Sequence, residues 1–203
     1  LSSTGCTEAG IRQLIGRDAL PATVDESEAE DGNGKRREAQ LRLLRYTYDG
    51  ATQVKGTPTG DPIRFCLRSA LALAGINATI PNPADRSRLA VISRRRMPAD
   101  QWAEACQKRA AVITREAGEA LIRRTVSNLH TLLHNIAACG RVVARLAASR
   151  GDAERLGDTY GALLAGAHML TSTACLTDAD ADAWIRSTGW RVDHTNTDES
   201  DHG

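Results

Sequence analysis

A short apolar run that ends in carboxylates constrains this chain more than any other stretch. Residues 19–28 read ALPATVDESE, so a segment suited to a buried strand runs directly into Asp25 and Glu26. If the segment is a strand, both carboxylates lie at one edge of a sheet, where a metal ion and a water molecule can sit between them. This is the layout of a Walker B element. The alternative is the acidic first turn of a helix, in which carboxylates complement the helix dipole.

Composition limits the classes of fold and partner. The chain has 203 residues, 41% of them hydrophobic, which is enough for one sizeable domain or two small ones. Aromatic residues make up only 3%, so the core must be built from Ala, Leu, Ile and Val, which favours helices. Because the formal net charge is +1, any contact with nucleic acid has to come from local patches.

Cysteine usage and hydropathy predict a cytoplasmic protein. An odd number of scattered cysteines without a Cys-x-x-Cys pair is typical of a reduced compartment, and this chain has Cys6, Cys66, Cys106, Cys139 and Cys175. No apolar run reaches the roughly 18 residues of a membrane span, and there is no basic-then-apolar leader, so we expect no membrane partner. The chain starts at Leu1 instead of Met, which leaves open whether it is a piece of a longer protein.

The spacing of apolar residues predicts a helix on each side of the acidic run. Residues 1–16 are predicted to form a short helix, capped by one of the polar residues Ser2, Ser3 and Thr4. A second helix begins at Lys35. The residues that precede the Walker B segment are therefore expected to be helix and turn.

Residues 52–93 change to the period of strands. Alternating apolar residues on both sides of a Gly- and Pro-rich loop predict a β-hairpin with Lys55 near its tip. Two further short strands are predicted within 69–75 and 89–93, separated by a loop at 81–88. The first part of the chain, residues 1–97, is thus predicted to be α/β.

Beyond residue 97 the pattern is helical. A long Ala/Leu/Ile/Val-periodic stretch from 102 to 146 is expected to break near Gly118 and Gly140, and two more helices are predicted over 152–170 and 178–187. We therefore predict an α-helical domain over residues 98–194. The last residues, 195–203, are polar and acidic and are predicted to form a disordered tail.

The polar residues after these predicted strands follow the order that nucleoside triphosphate hydrolysis requires. Asp25 suits a Mg²⁺-holding role and Glu26 a water-activating role, and Asn77, after the next core strand, could contact the γ-phosphate. Arg86 and Arg88 lie in a loop that could project a guanidinium to a neighbouring subunit. Taken singly, each has a simpler alternative: a turn-forming Asn and a solvated Arg pair.

Three stretches resemble the ATPase region of primase–helicase proteins encoded by phages and integrated mobile elements. They read TEAGIRQLIGRDALPATVDESE, then LRLLRYTYDGATQVKGT, then FCLRSALALAGINA with ADRSR, and the resemblance covers most of residues 1–190. It implies an AAA+-like P-loop ATPase core with a β-hairpin insertion, assembled as a homo-oligomeric ring and acting as a DNA helicase or translocase. ATP and Mg²⁺ are the implied cofactors, and single-stranded DNA is the implied partner.

The resemblance assigns roles to individual residues. Asp25 and Glu26 match the Walker B pair and Asn77 the sensor position. The segment with Arg86 and Arg88 matches the arginine-finger region. Lys55 lies in the hairpin that would point into the central channel of a ring and contact DNA. The alternative for that lysine is an ordinary solvent-exposed hairpin residue.

One departure from the family pattern is large. The chain contains no G-x-x-x-x-G-K-[ST] motif, although the phosphate loop of such an ATPase lies before the Walker B strand. We therefore expect either the C-terminal portion of an ATPase or a degenerate relative of one, and in both cases the chain by itself should bind and hydrolyse ATP poorly.

Two other functions are open for the chain. One is a non-catalytic helical ring-forming or DNA-binding module that lost nucleotide hydrolysis. The other is a metal-dependent nuclease that uses the acidic cluster at 25–28, although the expected Glu-x-Lys companion is absent. His130 and His134, four residues apart on a predicted helix and near Cys139, form a further candidate metal site, but no general-base Glu follows the first histidine.

Overall fold

The chain forms two compact units, Leu1–Arg88 and Leu89–Gly203. The computed structural model describes residues 2–4, 7–15, 21–25, 34–50, 52–56, 60–75, 80, 82–86, 88–92 and 97–191. The fold is mixed α/β and mostly helical, which confirms the α/β prediction at this coarse level. The contacts divide the chain at Arg88, whereas the sequence placed the change of character at residue 97.

A three-stranded parallel sheet organises the first unit. The strands are β1 (Ser2–Thr4), β2 (Ala22–Asp25) and β5 (Leu71–Leu73), in the order β1-β2-β5. Helix α1 (Glu8–Ile15) connects the first two strands. Ala22 and Val24 are buried while Thr23 and Asp25 are exposed, so the central strand buries one face.

The prediction that Ser2, Ser3 or Thr4 caps a helix is wrong. These residues form β1, in parallel register with residues 23–25 of the central strand. Three polar residues carry no recognisable strand pattern, and the backbone hydrogen bonds offered by β2 decide their conformation. A strand therefore precedes the central strand that ends in Asp25, where the sequence predicted only helix and turn.

Helix α2 (Gly34–Asp49) and a hairpin also belong to the first unit. The predicted hairpin is present as β3 (Gln53–Lys55) and β4 (Ile63–Phe65), which pair antiparallel. The core of the first unit is small and aliphatic, consisting of Ile11, Ile15, Ala22, Val24, Leu43 and Leu67. A one-turn helix, α3 (Pro83–Arg86), lies within the predicted loop.

The predicted strand at 89–93 is absent over its described part. Leu89–Ile92 has no strand pairing, and Ser93 lies outside the described residues. Ala90 packs against the core of the helical unit, and the Val91 backbone N–H donates a hydrogen bond to the Tyr160 hydroxyl at 3.1 Å. This apolar segment is thus held by helices instead of by a neighbouring strand.

The second unit is helical, as the sequence predicted. Its helices are α4 (Ala99–Val112), α5 (Arg115–Ser127), α6 (Leu129–Leu146), α7 (Ala153–Thr171) and α8 (Asp178–Ser187). Helices α6 and α7 form an antiparallel pair on which α8 packs, with the core between them. None of the helices in the described part of the chain is long and apolar enough to cross a membrane.

The predicted breaks at Gly118 and Gly140 are wrong, since both glycines lie inside helices. The observed breaks are at Ile113–Thr114 and at Asn128. The Thr114 side chain accepts a hydrogen bond from the Ala117 N–H at 3.2 Å and caps the start of α5. The predicted tail at 195–203 lies outside the described residues.

Candidate functional site

The carboxyl edge of the parallel sheet carries the first candidate residue. Asp25 is the last residue of the central strand, opposite Thr4 of β1, and its side chain is exposed. On the other side Val24 pairs with Leu73, and the Ala74 N–H donates to the Val24 carbonyl at 2.9 Å. All three strands therefore run toward the edge at which Asp25 lies.

Several predicted partners of Asp25 fall outside the described residues. They are Glu26 and Asn77 of the ATPase prediction, and Ser27 and Glu28, which only the nuclease alternative uses. In sequence, Glu26 follows the central strand directly, and Asn77 follows the neighbouring strand β5. Their assigned roles stay predictions.

The start of helix α1 is a feature that the sequence analysis missed. The Thr7 hydroxyl accepts a hydrogen bond from the Gly10 N–H at 3.2 Å, so Thr7 caps this helix. Strand β1 ends at Thr4, at the same edge of the sheet as Asp25, and α1 begins shortly after it in the chain. The positive end of the helix dipole therefore comes directly after this edge. The sequence signal for this helix start was Thr7 followed by Glu8, that is, a capping residue followed by an acidic first turn.

The two candidate finger arginines are engaged within their own unit. The Arg86 Nη2 donates to the Ile80 carbonyl at 3.1 Å. The Arg88 Nε lies 3.7 Å from the Asp49 Oδ1 at the end of α2. The structure thus places both guanidinium groups near the short helix α3 and gives each a different kind of partner.

A buried ion pair holds that short helix to α2. The Arg45 Nε lies 2.6 Å from the Asp85 Oδ1, and the Asp85 side chain is only 4% exposed. One turn further along α2 the charges are reversed, because here α2 supplies the carboxylate, Asp49, and Arg88 supplies the cation. Two charge pairs therefore fix the position of the predicted arginine-finger segment relative to α2.

Lys55 is the last residue of β3 and lies opposite Ile63. The backbone thus places it where the hairpin enters its loop, as predicted. At the base of the same hairpin the Arg12 guanidinium lies 4.6 Å from the centre of the Phe65 ring.

One histidine of the pair in the helical unit, His134, has a structural role. The Leu176 carbonyl can only accept, so the His134 Nε2, 3.0 Å away, donates to it. Burial raises the pKa of the Cys139 thiol, which disfavours the thiolate that a metal would need. In the described part of the chain no group of three or more His, Cys, Asp or Glu side chains could hold a metal ion.

The perturbed carboxyl groups of the helical unit belong to an ion-pair network. A hydrogen bond from Arg141, 2.6 Å away, lowers the pKa of Asp178, and one from Arg186 lowers the pKa of Asp182. The hydroxyl of Thr177 lowers the pKa of Asp180 within the capping box of α8. These shifts follow from helix capping and helix–helix pairing, so they do not mark an active site.

Comparison with protein-family models, with curated proteins and with solved structures finds no match for this chain. Its function is therefore inferred from the sheet edge and from the residues that follow its strands.

Proposed function

We propose that this chain is the part of an ATP-dependent DNA helicase or translocase of the primase–helicase kind that supplies the Walker B, sensor and arginine-finger residues. One observation supports this most. Asp25 ends the central strand of a parallel sheet whose neighbouring strands run toward the same edge. In open parallel α/β sheets, ligands bind outside the carboxyl ends of the strands.

In this proposal each residue at the edge has a separate role in ATP hydrolysis. The exposed carboxylate of Asp25 suits Mg²⁺, which in nucleotide sites takes one or two carboxylates and keeps several waters. Bound MgATP supplies the phosphoryl group and the charge compensation for its transfer. Glu26 then accepts a proton from the attacking water, and Asn77 orients that water against the γ-phosphate.

Either arginine can serve as the finger in this proposal. The Arg88 Nε lies 3.7 Å from the Asp49 Oδ1, and the Arg86 Nη2 donates to the Ile80 carbonyl at 3.1 Å. A contact across a ring interface therefore requires either guanidinium group to leave a partner within its own unit.

Replacing Glu26 by Gln is the direct test of catalysis. We expect the DNA-stimulated ATPase rate to fall by at least about 10²-fold, because a general base contributes 10²–10⁴-fold. Nucleotide binding should persist, since Gln keeps the size of the side chain. The rate is measured in the protein that joins this chain to its phosphate-loop segment, which we expect the gene to encode upstream of Leu1.

Glu28→Gln provides the matched control, since it makes the same chemical change two residues further on. It should leave turnover within about 3-fold of the unmodified rate. Full turnover in Glu26→Gln would remove that residue from its role. A stop codon directly upstream of Leu1 in the native gene would contradict the helicase proposal for this chain.

Lys55→Ala tests the DNA contact of the hairpin. A cation on the backbone of a single strand adds about −0.7 to the slope of log affinity against log salt, so the variant should lose that amount. Lys35→Ala, which removes an exposed lysine from the start of α2, is the control and should keep the slope. Equal slopes for both variants and the unmodified chain would exclude Lys55 from DNA binding.

The second candidate function is a non-catalytic ring-forming or DNA-binding module. It is favoured by the missing phosphate-loop motif and by the internal contacts of Arg86 and Arg88. Under this alternative the Lys55→Ala effect on DNA affinity persists, while Glu26→Gln changes nothing. The two experiments together therefore separate the candidates.

A further inference from the structure

The second strand of the β3–β4 hairpin is attached to the first unit by one side only. Phe65 is half-buried, with the Arg12 guanidinium 4.6 Å from its ring centre, and Leu67 belongs to the aliphatic core. Side chains of an extended chain alternate between its two sides. Accordingly Arg64 and Arg68, at the alternate positions, are exposed.

These two arginines differ from the others of the first unit in having no partner. Arg64 and Arg68 form no ion pair, hydrogen bond or ring contact with the described part of the chain. The other arginine side chains that the structure describes in this unit each contact a partner, and they are Arg12, Arg37, Arg42, Arg45, Arg86 and Arg88. Two positive charges therefore stay uncompensated on one exposed side of the hairpin.

Nearby carboxylates do not offset these charges. The described residues of the hairpin and its extension, 52–56 and 60–68, include one carboxylate, Asp61, which already has a partner of its own. Lys55, at the register position next to Arg64, adds a third cation to the same hairpin. A local excess of positive charge in a chain with a net charge of only +1 is the kind of patch that binds a polyanion.

An apolar side chain lies beside Arg64. Val54 is the residue directly opposite Arg64 in the hairpin, and it is 61% exposed. Side chains that pair in this way share one face, with Cβ atoms about 4.5–5.5 Å apart. A single strand of nucleic acid offers both phosphates and unstacked bases, whereas a duplex keeps its bases inside. A cation next to an exposed apolar group therefore fits a single strand better than a duplex.

We propose that single-stranded DNA crosses the exposed hairpin face formed by Val54, Arg64 and Arg68. The two guanidinium groups contact the DNA backbone, and Val54 packs against a base or sugar beside Arg64. Four residues of extended chain, or roughly 13 Å, separate the two arginines, so they can contact different phosphates. This inference rests on the proposed DNA-binding function and extends the contact beyond Lys55.

Arg64→Gln and Arg68→Gln test the backbone contacts. Both side chains are exposed, so folding should persist. Binding of a fluorescent oligothymidine to the 203-residue chain is followed by anisotropy at several salt concentrations. Each variant should lose about 0.7 from the slope of log affinity against log salt, which amounts to about a 5-fold loss of affinity at about 0.1 M salt. Unchanged slopes in both variants would overturn the proposal.

Arg109→Gln is the matched control. Arg109 is an exposed arginine of α4 that also has no partner in the described part of the chain, and its replacement removes the same charge from the other unit. The slope should stay as in the unmodified chain. An equal loss in this control would mean that total charge, and not the hairpin face, sets the affinity, and it would contradict the proposal.

Two further variants separate charge from shape. Arg64→Lys keeps the cation and should retain the slope, because a phosphate contact requires only a positive charge there. Val54→Ser should lower the affinity by about 3-fold without changing the slope, since it removes apolar contact and no charge. A slope lost in Arg64→Lys, or an unchanged affinity in Val54→Ser, would contradict the corresponding contact.

Failure of this inference is distinguishable from failure of the proposed function. A slope that depends on Lys55 but not on Arg64 or Arg68 would overturn the exposed-face contact and leave the DNA-binding function in place. If neither this chain nor the protein that joins it to its phosphate-loop segment binds oligothymidine, both are wrong. Turnover of ATP in Glu26→Gln bears only on hydrolysis.

Discussion

Gly161→Ala is expected to unfold the helical unit or to destabilise it by more than about 3 kcal/mol. A Cβ at this position would lie 2.6 Å from both the Cα and the N of Gly140 on helix α6. These are backbone atoms, so no side chain can rotate away. The clash is relieved only if α6 and α7 move apart and open the core between them.

The same close approach involves a second glycine of α7. A Cβ on Gly157 would lie 2.7 Å from the Gly140 carbonyl oxygen and 3.2 Å from the Ala144 Cβ. Gly157 and Gly161 are one helical turn apart, and together they let the backbone of α7 contact that of α6 at Gly140. The helix pair therefore depends on these glycines having no side chain.

Gly166→Ala is the matched control on the same helix. Nothing lies within 4 Å of an added Cβ at Gly166, so the better helix propensity of Ala should raise the free energy of unfolding by about 0.5–1 kcal/mol. Urea unfolding followed by tryptophan fluorescence measures both changes, because Trp102, Trp184 and Trp190 all lie in this unit. Similar stability for the two variants would show that the backbones of α6 and α7 are not in contact.

Asn135→Leu is expected to lower the free energy of unfolding by about 2–3 kcal/mol. Asn135 is fully buried on α6. Its Oδ1 accepts from the Leu176 N–H at 2.8 Å, and its Nδ2 donates to the Ala174 carbonyl at 3.0 Å. Leu keeps the approximate volume but leaves the buried N–H of Leu176 without a partner, so the extended segment between α7 and α8 loses its attachment.

His134→Leu places the same residue at the neighbouring position and serves as the control. His134 also bonds this segment, through the Leu176 carbonyl, but its side chain is exposed and water can replace it. The expected loss is at most about 1 kcal/mol. Equal losses for the two variants in the same urea titration would mean that burial of Asn135 does not matter.

Apolar periodicity was sufficient to predict the elements that are long or that are bounded by clear turn and capping residues. The helix predicted over 178–187 is present with those bounds, and that over 152–170 differs by one residue at each end. The β-hairpin around Lys55 followed from turn residues between alternating segments. In each of these elements the local pattern and the tertiary packing favour the same conformation.

Glycine in the helical unit was misinterpreted because local propensity and packing oppose each other there. Gly140 weakens a helix by about 1 kcal/mol relative to Ala, which suggested a break. The structure keeps it inside α6, where the approach of α7 leaves no room for a Cβ. The reason for a glycine at this position is therefore the close approach of helix α7.

The candidate site was predicted in part. The sequence located Asp25 at the end of a strand, and the structure adds that this strand is the central one of three, with β1 and β5 on either side. It also adds the charge pairs that hold Arg88 and Asp85 to α2, since such pairs join residues distant in sequence.

The sequence by itself determined the helical second half, the hairpin and the strand that ends in Asp25. These depend on periodicity and turn chemistry, which are properties of neighbouring residues. Tertiary structure alone decided that Ser2–Thr4 is a strand and that Leu89–Ile92 is not one. Both short segments take the conformation that their partners' hydrogen-bonding groups and apolar surfaces offer, and those partners are set by the whole fold.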